Sequence, residues 1–172
     1  MAKTSRLMGR VSFVRDMSTE VERVVWNPPS HGVVCIGDVL AQLWETEAPT
    51  PAFRSILSWC EARQARTSAP LWMITVVGET ATMPDGEARK IAAEFPHYFT
   101  EFVMVIKGSG FRASVVRSVL AGMAMLASRR AAPHIVATLS EGAQLLDSFG
   151  DGTLNAAQLH GLLGELRAEL RR

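Results

Sequence analysis

Apolar positions along this chain follow two rhythms, and the changes between them divide it into elements. "LWMITVV" (71–77) and "EFVMVIK" (101–107) are near-continuous apolar runs, the pattern of strands covered on both faces. "HIVATL" (134–139) is a shorter third run. Elsewhere the period lengthens to that of a helix. In "APTPAFRSILSWCEARQARTS" (48–68), Phe53, Ile56, Leu57 and Cys60 fall at i, i+3, i+4 and i+7. Thr50 is placed to cap that helix, and Pro51 suits its first turn. In "MPDGEARKIAAEF" (83–95), Thr82 and Asp85 read as a capping pair with Pro84 in the first turn. "FRASVVRSVLAGMAMLASRR" (111–130) puts Val115, Val119, Met123 and Leu126 on one face. "SEGAQLLDSF" (140–149) and "LNAAQLHGLLGELRAELRR" (154–172) are the closing helices.

Before residue 48 the signals are those of a hairpin. Val24–Trp26 and Val33–Ile36 are β-branched or aromatic, and "NPPSHG" (27–32) between them is strong turn chemistry. "GRVSFVRD" (9–16) is a short strand or an irregular lead-in. Strands alternating with helices demand a mostly parallel sheet with right-handed crossovers. The expected fold class is therefore α/β. A mostly parallel central sheet of four to five strands carries an antiparallel N-terminal hairpin and is flanked by helices, with a further C-terminal helix. The expected division is a lead-in over 1–19, the α/β domain over 20–149, and the last helix over 150–172. That helix carries a stripe of Leu159, Leu162, Leu163, Leu166 and Leu170, which either covers the sheet or meets a second subunit in a homodimer.

Composition narrows the function classes. A hydrophobic share of 48% with 20% charged residues argues for a packed core in a chain of 172 residues. A net charge of +1 gives no strong field toward nucleic acid or an anionic membrane. The pairs Arg129-Arg130 and Arg171-Arg172 read as solvated helix ends. No apolar stretch reaches the length of a membrane span, and no apolar run follows the basic "MAKTSRLMGR", so a cytoplasmic protein is expected. Cys35 and Cys60 sit in apolar settings without metal-ligand spacing and read as buried thiols.

Three stretches invite a chemical reading. The first, "LLDSFGDGTLNAAQLHGLL" (145–163), imitates a calcium loop, with Asp147 at position 1, Asp151 at 5 and Gly152 at 6. Phe149 at position 3 offers no oxygen, and Gln158 at position 12 cannot chelate with two carboxylate oxygens. The segment reads instead as a glycine stop followed by a helix capped by Asp151 or Thr153, and no metal is expected. The second, "VIKGSGFRAS" (105–114), follows a strand and opens a helix. Its Gly108-Ser109-Gly110-Phe-Arg112-Ala matches G-x-G-x-x-A, where backbone N–H groups and a helix dipole could hold phosphate, with Lys107 or Arg112 adding charge. The competing reading is a tight turn for close strand–helix packing. The third is "GETATMPDGEA" (78–88), which leads into a helix. Together 78–85, 107–112 and 140–141 converge on the carboxyl edge of the sheet, the best surface for a ligand or partner. No catalytic residues are assembled: His31, His97, His134 and His160 are scattered, and no nucleophile elbow or H-E-x-x-H is present. Trp44, in "AQLWETEAP", is a candidate for a contact surface, whereas Trp72 belongs to the core.

The element order, together with "PLWMITVVGETATMPDGEARKIAAEF", "FVMVIKGSGFRASVVRSVLAGMAML" and "HIVATLSEGAQLL", resembles STAS and SEC14-like domains, including small bacterial SpoIIAA-like proteins, over about residues 20–149. The resemblance implies a non-catalytic regulatory module that binds a protein partner through strand-end loops, with no cofactor. It also implies a phosphorylatable hydroxyl after the equivalent strand. Here the Asp-Ser-Ser/Thr-Gly turn is absent, and Thr82 is the natural acceptor because phosphate is favoured at a helix N-terminus. The alternative is a small-ligand protein that binds a nucleotide or lipid at the Gly108–Gly110 turn or in an apolar cavity.

Overall fold

In the computed structural model, residues 20–107, 133–150 and 154–172 are described. The lead-in, the glycine turn at 108–112, the helix expected over 111–130 and residues 151–153 lie outside them.

The described residues form one six-stranded sheet in sequence order: β1 (Val21–Asn27), β2 (His31–Ile36), β3 (Val39–Trp44), β4 (Trp72–Val77), β5 (Glu101–Ile106) and β6 (His134–Val136). The first three strands are an antiparallel meander, and β3 to β6 are parallel. The hairpin was expected to have two strands; it has a third. Ile36-Gly37-Asp38-Val39 closes a two-residue turn in which Gly37 takes φ 58°, a left-handed conformation that glycine adopts without cost. The run "VLAQLW" then returns as β3, buried along its whole length.

Among the described residues, four α-helices flank the sheet: α1 (Thr50–Gln64), α2 (Gly86–Ala92), α3 (Leu139–Ser148) and α4 (Ala156–Leu170). Strand alternation sorts the core into two layers. Leu40, Trp44, Met73, Val77, Met104 and Ile106 face α1 and α2, where Phe53, Ile56, Trp59 and Phe95 meet them. Ala41, Leu43, Ile74, Val76, Val103 and Val105 face α3 and α4. The division follows from handedness. The crossovers through α1 and α2 advance in the same direction, so one hand of crossover puts both on one face. The other face must be covered from elsewhere, and the C-terminal pair covers it. Leu159, Leu163, Leu166 and Leu170 of α4 are all buried against their own sheet.

Several local expectations change. Trp44 is 8% exposed and belongs to the α1/α2 core rather than to a contact surface, because it is the last inward residue of β3. Pro49, not Thr50, occupies the N-cap of α1, and the Thr50 hydroxyl instead donates to Asp85 at 3.0 Å. Asp85 alone caps α2, accepting from the Ala88 N–H at 2.8 Å. α4 starts at an Asn155–Gln158 capping box rather than at Asp151 or Thr153.

Candidate functional site

Parallel pairing brings the carboxyl ends of β3, β4 and β5 to one level: Trp44 lies beside Val77, and Val77 beside Ile106. The ladder continues one step further, through the Gly78 N–H to the Trp44 carbonyl at 2.7 Å and the Lys107 N–H to the Val77 carbonyl at 3.4 Å. Glu45, Gly78 and Lys107 therefore form a row. By alternation this row faces the same side as Leu43, Val76 and Val105, the side of α4. The middle position has no side chain. A Cβ on Gly78 would lie 2.8 Å from the Glu45 carbonyl oxygen and 3.0 Å from its carboxylate, so only glycine lets the Glu45 side chain lie across the strand end.

Helix α4 supplies the charge opposite this row. Arg167 and Arg171 are four residues apart and project from the same face. Both reach Glu45. Arg167 Nε donates to Oε1 and its Nη2 to Oε2 at 3.0 Å, while Arg171 donates to Oε2 through Nε at 2.9 Å and Nη2 at 2.6 Å. The Glu45 and Arg167 side chains are only 7% and 6% exposed, whereas that of Arg171 is 54% exposed. Burial pushes the Glu45 carboxyl up, but the hydrogen bonds and charges of the two arginines outweigh it and hold the pKa below the ordinary carboxylate value. At Lys107, burial together with the charges of Arg167 and Arg171 lowers the pKa, against the weaker pull of Glu45 and Glu79. Its ammonium has no hydrogen-bond partner among the described residues.

Loops at this edge are stitched to one another by hydroxyls. Thr80 donates to the Glu45 carbonyl at 3.0 Å, Ser30 to the Glu47 carbonyl at 2.9 Å and Thr46 to Ser30 at 3.2 Å. The Thr82 hydroxyl donates to the Thr46 carbonyl at 3.2 Å, and its N–H reaches the same oxygen at 2.6 Å. Thr82 thus ties two loops together, and the helix N-terminus it was expected to cap lies three residues further on, at Asp85. Buried His31 sits beside Ser30, and burial lowers its pKa despite the charge of Glu47.

Of the residues singled out from sequence, Lys107 stands at this edge, while Gly108, Ser109, Gly110 and Arg112 lie outside the described residues. Glu141 is committed to its own helix cap, where its carboxylate accepts the N–H groups of Ala137 and Thr138 at 3.0 and 3.1 Å. Glu45, Arg167 and Arg171 were not singled out, and Arg171 is not merely a solvated helix end. The available signals were an acid directly after an apolar strand run and two arginines at i, i+4 on an otherwise leucine-rich helix.

Other polar features carry less. A cleft of about 270 Å³ at the amino edge is lined by Cys60, Arg63, Thr67, Tyr98 and Thr100 among others, but Arg63 is already paired with Asp38 at 3.0 Å. Under α1, Thr75 donates to Gln42 at 3.2 Å. Gln42 Nε2 and Trp44 Nε1 are buried donors without an acceptor among the described residues. Cys35 and Cys60 are free and buried, and burial raises both thiols to about 12. Among the described residues no group of acids, histidines and cysteines could hold a metal, and no helix is long and apolar enough to cross a membrane. The chain matches no known family, no curated protein and no solved structure.

Proposed function

We propose that this chain is a non-catalytic regulatory module of STAS-like type that binds a protein partner through the loops at the carboxyl ends of β3, β4 and β5. The observation that carries this reading is the convergence there of Glu45, Lys107, Arg167 and Arg171, from two strand ends and one helix far apart in sequence. These are groups of recognition. Guanidinium and ammonium groups bind oxyanions, and the one buried acid is held ionised by four hydrogen-bond donors, so it is poorly suited to carrying protons. The loops beside them are fixed to one another by Ser30, Thr46, Thr80 and Thr82, which presents a preformed surface and lowers the ordering cost of association.

A photo-crosslinking residue placed at Glu79, exposed at this edge, and separately at Ser68, exposed at the amino edge, tests the reading in the native cell. The expected result is a discrete protein adduct from position 79 and none from 68. Adducts from 68 alone, or from neither, would overturn it.

A further inference from the structure

On the α1 side of the carboxyl edge two loop segments, 46–50 and 82–85, lie side by side and are joined at both ends. At one end the Thr82 N–H and hydroxyl donate to the Thr46 carbonyl at 2.6 and 3.2 Å. At the other the Thr50 hydroxyl lies 3.0 Å from each oxygen of Asp85, which also accepts the Ala88 N–H. Between these ties stand Glu47, Ala48 and Pro49 in one segment, and Met83 and Pro84 in the other. Ala48 turns into the core beside Trp44 and Phe53. Met83 does the opposite. It is 46% exposed, it belongs to neither core layer, and no other large apolar side chain among the described residues is exposed. Pro49 is exposed and Pro84 half-buried, so they extend the apolar surface around it. Glu47 is exposed and forms no ion pair among the described residues, whereas Arg54, one turn into α1, is bound to Glu87.

We propose that Met83, framed by Pro49 and Pro84, is the anchor that enters an apolar pocket of a protein partner, with Glu47 meeting a basic group at the rim of that pocket. The backbone on which Met83 stands is fixed before any partner arrives. Its neighbour Thr82 is held by two hydrogen bonds, Asp85 by three, and proline restricts φ at 49 and 84. A preformed apolar projection loses little conformational freedom on association, and a few such anchors carry most of the energy of an interface. Methionine suits the role because its unbranched, polarisable chain adapts to an irregular pocket. The exposed acid selects the kind of partner. Glu47 beside the anchor repels an anionic membrane surface and an acidic protein alike, and favours a pocket rimmed by lysine or arginine. The proposal deepens the partner-binding reading and rests on it.

The test uses the full chain in the native cell, with the photo-crosslinking residue at Glu79 and substitutions added behind it. Met83→Ser should cut the yield of the discrete adduct about tenfold, as expected when a central anchor is truncated. Met83→Leu keeps an apolar side chain and should keep most of the yield. Glu47→Lys should lower it severalfold, while Glu61→Lys, exposed near the far end of α1, leaves it unchanged. A crosslinking residue at position 83 itself should give the same adduct, with the new bond mapped by mass spectrometry to an apolar stretch of the partner. Thermal unfolding of each variant confirms that it is folded. An adduct from 79 that is indifferent to Met83→Ser overturns the anchor and leaves the partner-binding reading standing. An adduct whose mass is that of two copies of this chain overturns the assignment to a different protein. No adduct from position 79 in the otherwise unaltered chain overturns the anchor and the partner-binding reading together.

Discussion

Replacing Glu45 by Leu should be among the most damaging single changes in this protein, and the structure says why it should exceed replacement of its partner. Arg167 is buried, and the hydrogen-bond acceptor that the structure gives it is the Glu45 carboxylate. Removing one member of a buried ion pair strands the other charge, at a cost of about 3–5 kcal/mol. At about 2–4 °C per kcal/mol for a chain of this size, the midpoint of thermal unfolding should fall by roughly 6–20 °C. Arg167→Leu is different, because Glu45 keeps two hydrogen bonds from Arg171. The loss there is that of charge-assisted hydrogen bonds, about 1.5–3 kcal/mol. In the double variant no charge is stranded: leucines pack against the apolar surroundings and Arg171 turns to solvent. The double variant should be more stable than Glu45→Leu alone. Urea unfolding of the four proteins measures the cycle. Single effects that add to within about 0.5 kcal/mol would show that the residues act independently. A larger loss for Arg167→Leu than for Glu45→Leu would refute the argument about which charge is stranded.

Other expectations follow from the same geometry. Stability should fall in two steps on acidification: His31 resists protonation in the folded chain, so stability drops as pH falls below 6.5, and Glu45 is held ionised below its ordinary 4.5, so a second loss begins beneath that value. Urea midpoints from pH 8 to 3 measure this; a rise in stability between pH 6.5 and 5.5 would contradict the burial of His31. Gly78→Ala should cost about 1–3 kcal/mol by overpacking, because its Cβ meets Glu45 backbone at 2.8 Å, and unchanged thermal stability would show that the strand ends are further apart. Cys35 and Cys60 should react with a thiol reagent at pH 8 only as fast as the protein unfolds, since burial holds both thiols at about 12; prompt labelling in native buffer would show one of them exposed.

The parallel half of the fold was readable because strands covered on both faces show as unbroken apolar runs, as at 72–77 and 101–106. β3 has a similar apolar composition, but the two-residue turn at Gly37-Asp38 gives a far weaker signal than the Pro28-Pro29 turn, so the strand does not stand out from the sequence. Without β3, Trp44 looked like a loop residue and Glu45 was one acid among several in "WETEAP". The carboxyl edge could be named from general principles of α/β sheets, and Lys107 was placed on it correctly by strand periodicity. The arginines could not be placed, because the i, i+4 spacing of Arg167 and Arg171 says that they share a face but not what lies opposite. That depends on which side of the sheet the last helix covers, which crossover handedness decides only once every strand is known.

The account stands most directly on Arg167 and Arg171 being held by Glu45 at the strand ends. Nitrogen-detected arginine NMR reads this through the exchange of each Nε proton with water. Arg167, enclosed and bonded to the carboxylate, should show a slowly exchanging Nε proton at neutral pH, and Glu45→Gln should abolish that protection. An Arg167 signal that exchanges as fast as that of exposed Arg66, in the unaltered chain, would contradict the account.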